Sequence, residues 1–291
     1  MESAETLVRN LGTLPPIPDT VLRAQQMLGE DDVQLVDVSR VIGNDPALAG
    51  RVVKIASSPI FGAQTSPGSV AQAVLRLGCV ETRRVVMTAG AMAIVPELPA
   101  PLDLITFWRL SLGTALAGRK LALDLLLPDP EQVYLAGLFH CIGEALLAVH
   151  RPRDFVRALE RAQVDDEVDL HTALLEVFGH APNEVSAVLL RDWGVGADVI
   201  DAVEYQRNPD GASGDVLLPS IVFAANRMCC GLGLALESPD GDGFLGWEDE
   251  ISATLAGRIE DMGFVDMTYY LLSQMEFLTG IEDLVRATFD A

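Results

Sequence analysis

The chain has 291 residues, of which 49% are apolar and 21% charged, and its 42 acidic against 20 basic side chains give a net charge of −22. This apolar content is ample for one large or two modest packed domains and excludes a chain that is disordered throughout. So acidic a chain repels duplex nucleic acid and anionic membranes, and we find no strong basic patch to offset that repulsion, so neither is an expected partner.

The first third of the chain predicts a bundle of short helices. Apolar residues recur at steps of three and four, and sustained alternation typical of strands is hard to find, so the predicted fold class is all-α. Asp45 followed by Pro46 is a typical helix start, an N-cap before proline at the first helical position. Glycines and prolines separate the predicted helices. These helices span residues 19–28, 35–42, 46–56, 69–77 and 80–94.

Three prolines within residues 96–101 mark a candidate boundary, and longer helices follow it. The segment at 132–150 is apolar almost all round, which predicts a central rather than a peripheral helix. The remaining predicted helices span residues 104–127, 154–162, 169–178, 183–193, 197–206, 220–236, 248–261 and 267–278.

Several familiar features are absent or weak. Residues 1–10 carry acidic groups and no long apolar run, which predicts no signal peptide and a cytoplasmic protein. The four cysteines show no C-x-x-C spacing and are expected to be buried reduced thiols. Residues 240–244 imitate the start of a calcium loop, but Phe244 and Ile251 stand where such a loop needs oxygen ligands or glycine, so a flexible acidic loop is expected. Phosphate-loop, nucleophile-elbow and dinucleotide motifs are missing.

A series of short motifs runs through residues 5–236, which is most of the chain. The motifs lie at residues 14–18 (LPPIP), 44–48 (NDPAL), 56–58 (ASS), 73–78 (AVLRLG), 107–111 (FWRLS), 136–143 (AGLFHCIG), 193–194 (WG) and 205–209 (YQRNP). In order and spacing this series resembles the signatures of the HDOD family, whose fold is similar to that of the HD phosphohydrolases. The resemblance implies two helical bundles: one at 1–96, an HD-like bundle at 102–236, and an acidic loop with C-terminal helices at 237–291 that completes or extends it.

HD phosphohydrolases hold one or two divalent metals with histidines and aspartates from several helices, and this chain keeps few of those residues. His140 is retained, but Cys141 removes the neighbouring carboxylate and Arg207 places a permanent positive charge where a cation would sit. His180 lies two positions from the next expected histidine, about 200° away around a helix. The resemblance therefore implies that the chain is not an enzyme and carries no cofactor. The replaced positions are Leu110, Cys141, Pro182, Gln206, Arg207 and Asn226.

A metal site rescued by Glu144 and Cys141 beside His140 is a minor alternative, and the simpler interpretation of His140 is a neutral core histidine with hydrogen bonds. His150 and His171 adjoin charged residues and are expected at the surface.

Two functions remain open. The first is a bacterial signalling module that acts through protein–protein contacts, with a partner in trans or with a second copy as a homodimer. The second is a sensor or residual phosphohydrolase that takes an anionic, nucleotide-like ligand in the former active-site cavity, with arginines such as Arg227 receiving phosphate. The candidate ligand-binding residues for that cavity are His140, Cys141, Glu144, Arg109, Arg207 and Asn226.

Overall fold

The computed structural model describes residues 3–12, 14–30, 32–58, 65–95, 97–100, 102–164, 168–231 and 251–263, together with Tyr270 and Ser273. Every regular element in these ranges is a helix, which confirms the all-α class. The chain forms two compact units: a small unit, Pro15–Pro96, and a large unit, Met1–Leu14 with Glu97–Thr279. The loop at 240–244 lies outside the described residues, and so does the predicted helix at 267–278 apart from the two isolated residues.

In its described residues the small unit is a bundle of four helices arranged around the longest of them. Asp45 caps the fourth helix of the chain as predicted, accepting hydrogen bonds from the backbone N–H groups of Ala47 and Leu48 at 3.0 Å each. The longest helix changes direction at Gly78, where φ is +71°, a conformation that glycine adopts without the cost that a Cβ would bring. The helices are α2 (Asp19–Met27), α3 (Leu35–Gly43), α4 (Pro46–Ala56) and α5 (Val70–Ile94).

The large unit packs its helices around α6 (Leu104–Asp124), which lies against both α7 (Pro130–Phe139) and α13 (Leu217–Gly231). Trp108, Leu112 and Leu121 on α6 have no exposed surface, and neither does Tyr134 on α7. This helix therefore forms the centre of the apolar core. The helices are α6 (Leu104–Asp124), α7 (Pro130–Phe139), α8 (Ile142–His150), α9 (Pro152–Val164), α10 (Leu170–Phe178), α11 (Pro182–Asp192), α12 (Ala197–Glu204), α13 (Leu217–Gly231) and α14 (Ala253–Asp261).

A short N-terminal helix, α1 (Ala4–Leu11), belongs to the large unit and was not expected from the sequence. Ser3 caps it, accepting a hydrogen bond from the Thr6 backbone N–H at 3.3 Å. Its buried side chains, Leu7 and Val8, lie on the face that packs against α8 and α11. The small unit therefore begins at Pro15 and not at the start of the bundle expected at 1–96, because α1 packs against helices of the large unit.

The segment Pro130–His150 has the length and composition of a membrane-spanning helix, with a mean hydropathy of 1.5, but 78% of its most apolar stretch is buried inside the protein. The sequence predicted one continuous helix at 132–150, and this prediction was wrong. The structure has two helices there, because the helix breaks at residues 140–141 into α7 and α8. The segment is thus a central core element, and its break creates the site described below.

Candidate functional site

The candidate site is centred on the break between α7 and α8. Gly143, at the start of α8, lies so close to α11 that a Cβ there would stand 2.2 Å from the Pro182 carbonyl oxygen and 2.7 Å from the Ser186 nitrogen. The Gly143 backbone N–H donates to Ser186 Oγ at 2.9 Å. Gly137 permits a similar approach on the other side, since its Cβ would stand 2.7 Å from Ala115 Cα of α6. The two glycines of the AGLFHCIG motif thus hold this segment between two neighbouring helices.

The His140 side chain is only 5% exposed, and both of its ring nitrogens are hydrogen bonded. Nδ1 lies 2.7 Å from the Gly137 carbonyl oxygen, which can only accept, so Nδ1 carries the proton. Nε2 lies 2.9 Å from Asn226 Nδ2, which donates to it. Burial lowers the pKa of His140 to about 4, and the charge of Arg207 acts in the same direction against the Gly137 hydrogen bond. The imidazole is therefore neutral at pH 7, with its lone pair occupied by Asn226.

Gln206 lies at a position where the HD phosphohydrolases have histidine, and its side chain donates hydrogen bonds to the backbone at the helix break. Its side chain is 6% exposed, and Nε2 donates to the carbonyl oxygens of His140 and Val203, both at 3.0 Å. A carbonyl at the end of α7 has no partner within the helix, so a buried one needs such a donor. This hydrogen bond therefore stabilises the broken geometry.

Arg207 is paired with a carboxylate. Its guanidinium forms an ion pair with Asp169, the N-cap of α10, and Asp169 also accepts from the Thr172 backbone N–H at 2.8 Å. Burial opposes ionisation of Asp169, yet Arg207 and the Thr172 hydrogen bonds outweigh it and hold its pKa at about 2. The positive charge at this position is thus neutralised by a residue of the chain itself.

His171 lies in the same region, so its expected surface position was wrong. It is partly buried, and its Nε2 donates to Asn183 Oδ1 at 2.7 Å, while Asn183 Nδ2 donates to the Glu204 carbonyl. Burial lowers the pKa of His171, and Arg207 lowers it further. Charged neighbours in the sequence were misleading, because the partner of His171, Asn183, lies on α11 and is distant in the sequence.

These residues surround a cavity of about 110 Å³. It has room for several water molecules or a small anion. Four of the six candidate ligand-binding residues line it, namely His140, Glu144, Arg207 and Asn226, and Arg227 joins them. Leu110, Pro182 and Gln206, which the sequence analysis named only as replaced metal-ligand positions, also line the cavity. The lining residues that the sequence analysis did not connect with this site are Asp169, Leu170, His171, Asn183 and Cys230. Of these five residues, only Asp169 could be singled out from the sequence, because an acidic residue directly before an apolar run is typical of a helix N-cap.

Cys141 and Arg109, the other two candidates, do not line the cavity. Cys141 is 2% exposed, its Sγ lies 3.2 Å from Ser111 Oγ, and burial raises the pKa of its thiol well above the usual range. Cys141 Sγ therefore lies against Ser111 and does not converge with His140 and Glu144 on the cavity, as the alternative metal site would require.

The donor set does not fit a catalytic divalent metal. Such an ion needs several imidazole and carboxylate donors with free lone pairs. Here the lone pair of His140 accepts from Asn226, Leu110 offers no donor, and Asp169 is engaged by Arg207. Among the residues that the structure describes, no group of three or more histidine, cysteine, aspartate or glutamate side chains is arranged to hold a metal ion.

The sequence is similar to a known protein family. The family model of the HDOD domain matches residues 14–209. An HDOD domain protein of unknown function from Geobacter sulfurreducens has the same fold, with a TM-score of 0.82, 24% identity and 98% of each chain covered. A phosphohydrolase candidate from Shewanella amazonensis has a TM-score of 0.73 at 23% identity, with 99% and 98% covered.

Two further relatives are longer than this chain. A candidate signal transduction protein from Marinobacter aquaeolei has a TM-score of 0.67 at 24% identity, covering 94% of this chain and 60% of that one. An uncharacterised protein of Treponema pallidum is 23% identical over 232 residues, which is 76% of this chain but only 43% of the relative's length. At these identities the solved structures establish the fold alone.

Proposed function

Since the chain belongs to the HDOD domain family, we propose that it is a non-catalytic regulatory module of bacterial signal transduction that acts in the cytoplasm through contacts with another protein. One observation carries this proposal: both ring nitrogens of His140, the retained metal-ligand residue, are hydrogen bonded within the protein. The Arg207–Asp169 ion pair beside it supports the same conclusion. In this proposal the position of the metal site in the enzymes is occupied by a hydrogen-bonded centre that stabilises the fold. The regulatory function then depends on contacts that the protein surface makes with a partner.

The likeness in fold to the Marinobacter protein, whose description refers to signal transduction, is consistent with this role. The strongly negative surface also supports a protein partner over nucleic acid or membrane, with a second copy of the chain as the alternative partner.

A metal and activity assay tests the absence of catalysis. We expect the purified protein to contain no stoichiometric manganese, iron, cobalt, zinc or magnesium, because no group of metal-binding side chains converges within the described part of the chain. We also expect no turnover of bis(p-nitrophenyl) phosphate or of a cyclic dinucleotide. Stoichiometric metal with turnover, both lost in His140→Ala but kept in the control His150→Ala, would contradict the proposal.

A sensor of anionic, nucleotide-like ligands is the second candidate, because Arg207 and Arg227 both line the cavity. Against it stand Asp169 and Glu144, which line the same cavity and repel anions. A panel of nucleotides at millimolar concentration separates the two functions. A raised melting temperature that is lost in Arg227→Gln supports the sensor, and no shift supports the regulatory module.

A further inference from the structure

One wall of the candidate-site cavity comes from two helices that pack mainly against each other. Asp169, Leu170 and His171, at the start of α10, line the cavity. α10 packs far more extensively against α9 than against α11, and α9 also contacts α8. Ala158 on α9 and Leu174 on α10 have no exposed surface. We call α9 and α10 together the α9–α10 hairpin, and its internal packing favours movement as one body.

Short connections join the α9–α10 hairpin to its neighbours. Only Arg151 lies between α8, which ends at His150, and α9, which begins at Pro152. α10 ends at Gly179, where φ is +77° and where a Cβ would meet nothing within 4 Å. Hinges are often a few residues at the ends of elements, because these absorb a change in φ and ψ without disturbing the helices. Arg151 and Gly179 are placed to act in this way.

Polar contacts hold the start of α10 against the other walls of the cavity. Arg207, which follows α12, forms an ion pair with Asp169, and the two side chains are still 28% and 34% exposed. His171 Nε2 donates to Asn183 Oδ1 on α11 at 2.7 Å. Water can replace the partner of a partly exposed charge at a small cost in free energy, whereas it cannot replace apolar packing. These contacts are therefore easier to release than the packing inside the hairpin.

We propose that the α9–α10 hairpin is a lid over the candidate site, that it opens as one body about Arg151 and Gly179, and that the Arg207–Asp169 ion pair is its latch. The closed cavity of about 110 Å³ admits only several water molecules or a small anion. Opening removes one wall and exposes Leu170, which is buried in the closed state.

A lid gives the site two conformations, and a partner that binds one of them better shifts their populations. The lid thereby supplies the regulation that a signalling module needs. This purpose rests on the proposed function, whereas the motion itself depends only on the contacts of the large unit.

Two variants release the latch from opposite sides. Asp169→Asn removes the negative charge, and asparagine is as good an N-cap as aspartate, so the hydrogen bond from the Thr172 backbone N–H is retained. Arg207→Gln removes the positive charge and leaves the cap unchanged. The second variant also keeps the test decisive if the first one does not fold.

Hydrogen–deuterium exchange of the full chain, measured by mass spectrometry on peptides from each helix, tests the lid. We expect both variants to raise the exchange rate in α9 and in α10 by the same factor, about threefold or more, because the amides of both helices exchange through one shared opening. Exchange in α6 and α7 should stay unchanged. α9 is the informative helix, since a purely structural cap at Asp169 does not reach it.

Glu176→Gln is the matched control. Glu176 on α10 lies 3.5 Å from Arg161 on α9, so this variant removes a carboxylate of α10 that pairs inside the hairpin and leaves the latch intact. We expect exchange in α9 to stay within about twofold of the wild type.

Four results would overturn the proposal: no change in either latch variant, faster exchange confined to the first turn of α10, faster exchange throughout the large unit, or an equal rise in Glu176→Gln. The first three would show respectively a hairpin that stays closed, a helix cap alone and a general loss of stability. The measurement uses no metal, substrate or partner, so failure of the lid is distinguishable from failure of the proposed function.

Discussion

Replacement of Gly143 by alanine should destabilise the large unit by about 3 kcal/mol or more, at the upper end of overpacking effects. The added Cβ would stand 2.2 Å from the Pro182 carbonyl oxygen and 2.7 Å from the Ser186 nitrogen. Both are backbone atoms of α11, so a side-chain rotation cannot relieve the clash. The helices must separate, which also breaks the hydrogen bond from the Gly143 N–H to Ser186 Oγ. Denaturant unfolding followed by circular dichroism measures the loss.

Gly257→Ala is the matched control for this variant. Gly257 lies within α14 of the same unit, and a Cβ there would meet nothing within 4 Å. Alanine is the better helix former, so this variant should gain up to about 1 kcal/mol. Equal and small effects in the two variants would show that α8 and α11 are not in close contact at Gly143.

Protonation of His140 should make the protein less stable in mild acid. The folded pKa is about 4, below the ordinary value of 6.5, so between these pH values the unfolded chain binds a proton that the folded protein does not. This contribution is fully present above pH 6.5, falls as the pH drops towards 4, and is constant below that. Over the whole window it amounts to about 3 kcal/mol.

Denaturant midpoints at several pH values in wild type and His140→Gln measure this contribution. The variant should lose less stability than the wild type between pH 6.5 and 4, because glutamine does not titrate. His171 also has a lowered pKa and contributes in the same direction, so His171→Gln separates its part. Identical pH slopes in wild type and His140→Gln would contradict a buried neutral His140.

Much of the helical order could be predicted because local signals mark it. Asp45-Pro46 begins α4, Gly78 bends α5, and Asp169 caps α10. The break at 140–141 could not be predicted, because apolar residues continue across it without a change of period. Its causes are contacts distant in sequence: Gln206 bonded to the His140 carbonyl and Gly143 packed against α11.

The candidate site was predictable in location but not in its internal bonding. Motif order indicated His140, Arg207 and Asn226 as neighbours, and all three line the cavity. Side-chain direction was the missing information. Cys141 turns towards Ser111, while His171 lies at the cavity, and neither follows from residue type. The Asn226 hydrogen bond that occupies His140 joins residues far apart in the sequence and becomes visible only in the folded chain.

The ring nitrogens of His140 offer the most direct test of the proposal that His140 belongs to a hydrogen-bonded structural centre and not to a metal site. Nitrogen-15 NMR of the imidazole at neutral pH, with and without millimolar Zn²⁺, reports both the tautomer and the availability of the lone pair. We predict a neutral ring with the proton on Nδ1 and Nε2 accepting from Asn226, unchanged by zinc. A protonated Nε2, or an Nε2 resonance that shifts stoichiometrically with zinc, would contradict it.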